Sequence, residues 1–308
     1  MNTPTHSSSM AAELKKEITA LQQKKFIGLN NEQIFSYVHV YNTVYTFIAA
    51  NALDEEYGDR KIFSDKLHTL LKIQIRRYKK ATDLLEKIKL IDAILYTLEF
   101  TSQIIESEEY WNEGAALIEE YMTRHADTDP DETELFYVMH LILNVWYGLV
   151  EDDENDTPAS LTYARKKISE WAAALSKDGS WNNLSDVEGL RRFTLMSINS
   201  SRMLNDTYDE QLTAAHDHYC NRAFHRYDGS QPIDSSTIDK YTLLYYALLQ
   251  SPMKFPSNLD KLTKVSNILA PQIPHLQNEP LRHTLCQNIH TDNMCMLETD
   301  RIQRELDE

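Results

Sequence analysis

The stretch from residue 34 to residue 50 reads IFSYVHVYNTVYTFIAA, and its apolar and aromatic side chains indicate a helix that is buried on most of its faces. Three later stretches share this character: IDAILYTLEF at 91–100, LFYVMHLILNVWYGLV at 135–150 and YTLLYYALL at 241–249. The stretches between them, such as KLHTLLKIQIRRYKK at 66–80, carry many charges and a single apolar stripe, which is typical of an outer helix.

Buried and amphipathic stretches alternate along the chain, and the buried ones recur about every 51 residues. Short patterns agree at that offset, as in Val44-Tyr45-Thr46-Phe47 and Leu95-Tyr96-Thr97-Leu98. We predict helices near 10–25, 31–53, 60–80, 83–106, 108–125, 132–151, 158–176, 186–204, 208–227, 236–250, 258–270 and 279–304.

These helices predict an all-α chain of repeated antiparallel hairpins. Six inner helices can close into an (α/α)6-type toroid, or the hairpins can stack as an open α-α superhelical solenoid. Six units and an unpaired first helix favour the ring. We expect residues 1–9 to be a disordered N-terminus and residues 10–308 to form a single domain.

The composition agrees with helices and limits the partners. Only 7 glycines and 9 prolines occur in 308 residues, too few for a protein of many strands and turns. A net charge of −16 argues against non-specific binding to nucleic acids or anionic membranes. Three cysteines, no apolar leader and no long apolar run predict a soluble, cytoplasmic protein.

Polar residues interrupt the apolar helices in stripes, and buried polar groups must face one another, water or a ligand. Asp92 and Glu99 lie on one helical face, seven residues apart. With His140 from another buried helix, they are our candidate catalytic residues, as a general acid and a general base. The alternative is that they stabilise the protein interior through internal pairs.

Aromatic and polar residues of the same helices, and one tryptophan in a loop, are candidate ligand-binding groups because they suit sugars and other planar ligands. The same aromatic residues also pack well between helices. The candidates are Tyr41, Tyr45, Tyr96, Asn144, Tyr147, Trp181, Arg192, Tyr241 and Tyr245.

His283, Cys286 and His290 share one helical face, and imidazole and thiolate are good zinc ligands. Their spacing matches no established zinc signature, so we predict no metal and no cofactor. A buried cysteine between two histidines of structural role is the simpler interpretation.

Three classes of function remain compatible with the sequence. The first is a protein that binds a small polar molecule or a peptide in a polar-aromatic pocket lined by inner helices. The second is a carbohydrate-acting hydrolase, lyase or epimerase that uses paired acidic residues. The third is a structural scaffold that assembles through its outer faces. We favour the binding class because it requires no precise catalytic constellation.

Overall fold

The computed structural model describes residues 4–51, 53–101, 104–125, 132–149, 158–175, 238–249 and 256–289, with isolated positions between 188 and 225. Every regular element in these segments is helical, which confirms the all-α class. The elements are α1 Pro4–Gln23, α2 Asn31–Asn51, α3 Asp54–Tyr57, α4 Lys61–Tyr78, α5 Leu84–Thr101, α6 Ile104–Arg124, α7 Glu132–Leu149, α8 Ala159–Leu175, α9 Ile238–Leu249, α10 Pro256–Leu269, the 3-10 helix Ala270–His275 and α11 at 279–289.

Most of the described helices begin and end within a few residues of their predicted limits. The first helix begins earlier than predicted, at Pro4. Proline is well suited to a first helical position, since its missing N–H would have no partner there. The predicted helices near 186–204 and 208–227 lie outside the described residues, except for isolated positions. Closure into a ring and a single domain stay predictions.

Side-chain caps fix where several helices begin. Asn30 Oδ1 accepts the N–H of Gln33 at 2.8 Å, and Gln33 Oε1 accepts the N–H of Asn30 at 3.0 Å. This reciprocal pair satisfies N–H groups at the start of α2 that have no partner within the helix. At the start of α5, Asp83 Oδ1 accepts the N–H of Glu86 at 2.8 Å. At the start of α11, Asn278 Oδ1 accepts the N–H of Leu281 at 3.1 Å.

The chain forms two compact units, each built from segments that are discontinuous in sequence. Unit 1 comprises Met1–Arg77, Thr97–Ser102 and Ala270–Glu308, and unit 2 comprises Tyr78–Tyr96 and Gln103–Leu269.

Unit 2 contains an apolar core in which α6, α7 and α8 pack against one another. Gly114 on α6 allows a close approach, because an added Cβ would lie 2.8 Å from Val145 Cγ2 and 3.2 Å from Ile91 Cγ2. Real Cβ atoms essentially never come within 3.0 Å of another heavy atom. The core residues from α5 to α8 include Ile88, Ile91, Leu95, Ile118, Val138, Met139, Ile142, Val145, Ala164 and Ile168.

Unit 1 buries aromatic side chains of α2 against the loop after α1 and against α4. The Tyr41 ring meets that of Phe26 edge-on, with 5.6 Å between their centroids, and lies 6.3 Å from that of Phe63. These contacts fix the base of the loop that links α1 to α2.

Candidate functional site

The polar stripes of α5 and α7 meet at Asp92 in unit 2. Asp92 Oδ2 lies 2.7 Å from His140 Nδ1, and Asn144 donates from Nδ2 to Asp92 Oδ1, also at 2.7 Å. The Asp92 side chain is only 8% exposed, whereas that of His140 is 17% exposed. The structure therefore brings together three of the residues that the sequence singled out, because His140 and Asn144 both contact the buried carboxylate of Asp92.

Glu99 has a different environment from Asp92, although both are on α5. Its side chain is exposed, whereas Asp92 is buried. Seven residues correspond to roughly 10 Å of helix rise. The described partners of Asp92 are the imidazole of His140 and the amide of Asn144 rather than a second carboxylate. Catalytic roles for Asp92, Glu99 and His140 stay predictions.

The candidate tyrosines differ in their accessibility. Tyr41, Tyr241 and Tyr245 are fully buried, while Tyr45 and Tyr96 are half-buried. The Tyr41 hydroxyl donates to the Leu21 carbonyl oxygen at 2.7 Å, which satisfies this polar group within the protein. Such burial favours a packing role for these side chains, one of the two interpretations that the sequence allows.

The other candidate ligand-binding residues lie partly outside the described structure. The Arg192 guanidinium carbon is 5.1 Å from the centroid of the Trp171 ring, a cation–π distance. Trp181 is outside the described residues, as is the side chain of Tyr147. Any role in ligand binding stays a prediction for these positions.

His283 of α11 belongs to a cluster of ionisable side chains in unit 1, the charge cluster, whose members are Glu17, Glu279, Arg282 and His283. Its Nδ1 contacts a carboxylate oxygen of Glu17, and its Nε2 lies 3.5 Å from Glu279 Oε1. Arg282 Nε donates to the other oxygen of Glu17 at 2.9 Å. The side chains of His283 and Glu17 are 1% and 4% exposed. This cluster connects α1 with α11 through ion pairs between residues more than 250 positions apart.

Cys286 lies one turn beyond His283 and is buried. Burial, with the negative charge of Glu17, raises the pKa of its thiol to about 12, so the thiolate needed for zinc binding is disfavoured. Within the described residues, no group of three or more His, Cys, Asp or Glu side chains is arranged so that it could hold a metal ion. His290, the third residue of the zinc interpretation, lies outside the described residues.

The carboxylates of the charge cluster are held in their charged form. Burial acts to raise the pKa of Glu17, but its contacts with His283 and Arg282 outweigh burial and hold the pKa below its usual value. Burial likewise opposes ionisation of Glu279, and contacts with Lys24 and Tyr37 outweigh it. The cluster therefore stabilises these carboxylates as anions.

A cleft of about 440 Å³ opens in unit 1 between the loop after α1 and the first turns of α4. Ile27, in that loop, is 82% exposed, the highest value for a large apolar residue in the described segments. The loop turns at Gly28, whose φ of +73° is a left-handed conformation that favours glycine. The cleft is lined by Lys24, Lys25, Phe26, Ile27, Ile62, Asp65, Lys66 and Thr69.

Lys66 provides the most distinctive charge of this cleft. Its ammonium donates to the Lys24 carbonyl oxygen at 2.5 Å and lies 5.5 Å from the centroid of the Phe26 ring. No carboxylate of the described residues forms an ion pair with it, and burial lowers its pKa. A partly buried cation that is held by a carbonyl and a ring is well placed to accept an anion.

This cleft was not predicted from the sequence. Its signal is the segment KKFIGLN at 24–30, where two lysines precede two apolar residues and a glycine between two helices. Nothing in that segment shows that Ile27 is exposed while Phe26 contacts Tyr41, since both residues are equally apolar.

No family model, no curated protein and no solved structure matches this chain. None of the helices in the described segments is both long enough and apolar enough to cross a membrane. The geometry of the sites therefore provides the basis for a functional proposal.

Proposed function

We propose that this protein binds a short acidic segment of a partner protein, with the cleft of unit 1 receiving one aliphatic side chain and a neighbouring carboxylate. One observation carries the proposal: the cleft combines the exposed apolar side chain of Ile27 with the ammonium of Lys66, which no described carboxylate neutralises. It retains the peptide-binding class that the sequence favoured and moves the site from the inner helices to this cleft.

The apolar wall supports an aliphatic contact. Ile27 is 82% exposed and Ile62 is 39% exposed, and both line the same cleft. Covering one isoleucine side chain contributes roughly 1.5–3 kcal/mol when burial is complete. An aliphatic side chain of the partner can remove both residues from water at once.

The charges support an acidic ligand of limited length. Lys25 is exposed and Lys66 half-buried in the cleft wall, so a carboxylate there meets positive charge. The protein as a whole carries a net charge of −16, which repels long polyanions. The Asp65 carboxylate, also in the wall, repels any ligand carboxylate that lies beside it. This pattern favours a ligand of a few residues in which carboxylates flank one apolar side chain.

Fluorescence anisotropy with a labelled tetrapeptide, Glu-Glu-Leu-Glu, tests the proposal. We expect the wild-type protein to bind this peptide more tightly than Lys-Lys-Leu-Lys or Glu-Glu-Ser-Glu, and added salt to weaken binding. Lys66→Gln and Ile27→Ser should each raise the Kd about tenfold, which corresponds to roughly 1.4 kcal/mol.

Lys80→Gln is the matched control, because Lys80 is an exposed lysine outside the cleft. It should leave the Kd unchanged. Equal binding of the acidic and basic peptides, or wild-type affinity in Lys66→Gln, would contradict the proposal.

Proton transfer at Asp92 and His140 is a second candidate function, and it concerns unit 2 alone. Its support is the 2.7 Å contact between Asp92 Oδ2 and His140 Nδ1, since a carboxylate can orient an imidazole that acts as a base. If an activity is found by screening sugar substrates, Asp92→Asn should reduce kcat while leaving KM nearly unchanged. An unaltered kcat would reject this candidate.

A further inference from the structure

Lys24 contacts both the cleft and the charge cluster. It lines the cleft, and its carbonyl oxygen accepts the hydrogen bond of Lys66. Its ammonium forms an ion pair with Glu279 and lies 5.1 Å from the centroid of the Tyr37 ring. The side chains of Lys24 and Glu279 are 21% and 31% exposed, so this ion pair is accessible to a ligand.

The partner that Lys24 has within the protein is a carboxylate, the same chemical group that the proposed ligand supplies. An acidic ligand in the cleft therefore competes with Glu279 for the ammonium of Lys24. The flexible four-carbon stem of a lysine allows its ammonium to move between two acceptors without any change in the backbone.

Glu279 keeps other contacts when the Lys24 ammonium binds a ligand carboxylate instead. Its Oε1 lies 3.5 Å from His283 Nε2, and the Tyr37 hydroxyl is hydrogen-bonded to its carboxylate. It also stands in the first turn of α11, immediately after the cap residue Asn278, where the helix dipole favours a negative charge. Loss of Lys24 therefore leaves the Glu279 carboxylate with compensating contacts.

We propose that Glu279 is an internal competitor of the acidic ligand, and that its ion pair with Lys24 limits the affinity of the cleft. This inference rests on the proposed function. It assigns to the Lys24–Glu279 pair the role of an autoinhibitory contact, which a ligand carboxylate replaces.

Anisotropy titrations of the Glu-Glu-Leu-Glu peptide against Glu279→Gln test this inference. Removing the competing charge should lower the Kd about three- to tenfold. Glu279→Asp, whose shorter side chain weakens the reach to Lys24, should give a smaller gain in the same direction. Lys24→Met in the Glu279→Gln background should abolish the gain. Circular dichroism of each variant verifies that the helices are intact.

Glu13→Gln is the matched control, because Glu13 also pairs with a lysine, Lys16 at 3.0 Å, but does not line the cleft. It should leave the Kd unchanged. If the wild-type protein binds the peptide but the Kd is unchanged or raised in both folded Glu279 variants, this inference is overturned. The proposed function then still stands. If only Glu279→Asp folds, its Kd alone decides in the same way. Absence of peptide binding by the wild-type protein would overturn both.

Discussion

Replacing Glu17 with glutamine removes one buried negative charge from the charge cluster. The side chain of Glu17 is 4% exposed, and its two oxygens contact Arg282 and His283. Breaking a buried ion pair by removing one partner costs about 3–5 kcal/mol, because the other charge stays buried. The Arg282 side chain is 23% exposed and therefore keeps part of its hydration, so we expect Glu17→Gln to lose about 2–3 kcal/mol of unfolding free energy.

Urea denaturation followed by far-ultraviolet circular dichroism at pH 7 measures this loss. Glu13→Gln is a matched control on the same helix, because the Glu13–Lys16 pair is largely exposed and should contribute less than about 1 kcal/mol. A loss below 1 kcal/mol for Glu17→Gln, or an equal loss for both variants, would refute the role assigned to the cluster.

The same pair of proteins yields a pH dependence with a defined sign. The pKa of Glu17 is lowered in the folded protein from its ordinary value of 4.5. Its charge therefore contributes its full stabilisation above about pH 4.5, and that contribution is lost as pH falls through the folded pKa. The difference in stability between wild type and Glu17→Gln should shrink as pH falls below about 4.5. A difference that grows on acidification would contradict this sign.

Three further predictions concern the helix packing, the contacts of Asp92 and the cap of α2, and urea denaturation tests each of them. Gly114→Ala should lower the free energy of unfolding by about 1 kcal/mol, because crowding against Val145 outweighs the better helix propensity of alanine. In a chain that already carries Val145→Ala, the cost of Gly114→Ala should be smaller. Asp92→Ala should lower the free energy of unfolding by about 2–4 kcal/mol, because the half-buried side chains of His140 and Asn144 lose their acceptor. An effect below about 1 kcal/mol would contradict this role of Asp92. Asn30→Ala should lose about 1 kcal/mol by removing the cap of α2, and an unchanged midpoint would contradict that role.

The helices were largely predictable because their signals are local. Apolar periodicity gave their course, and most ends lie close to the predicted limits. That Asp92 has a polar partner also follows from the sequence, since polar groups on buried helices must find partners. The sequence could not specify that the partner of Asp92 is His140 rather than Glu99, because that choice depends on how α5 and α7 are rotated about their axes.

The charge cluster and the cleft were not predictable, because they depend on distant parts of the chain. The Lys24–Glu279 contact spans 255 residues, and the Arg282–Glu17 contact spans 265. The tyrosines illustrate a related difficulty. The Tyr41 hydroxyl donates a hydrogen bond to the Leu21 carbonyl oxygen, and its ring is buried in the core. The sequence had suggested this tyrosine for ligand binding.

Photo-crosslinking tests the central claim, that the cleft of unit 1 binds an acidic segment, most directly. The Glu-Glu-Leu-Glu peptide with a photoreactive leucine analogue is irradiated with the wild-type protein, and the modified residues are identified by mass spectrometry. The account predicts crosslinks within 24–27 and 62–69, the two segments that line the cleft, and their loss in excess unlabelled peptide. Crosslinks confined to unit 2, or crosslinks that unlabelled peptide does not displace, would contradict it.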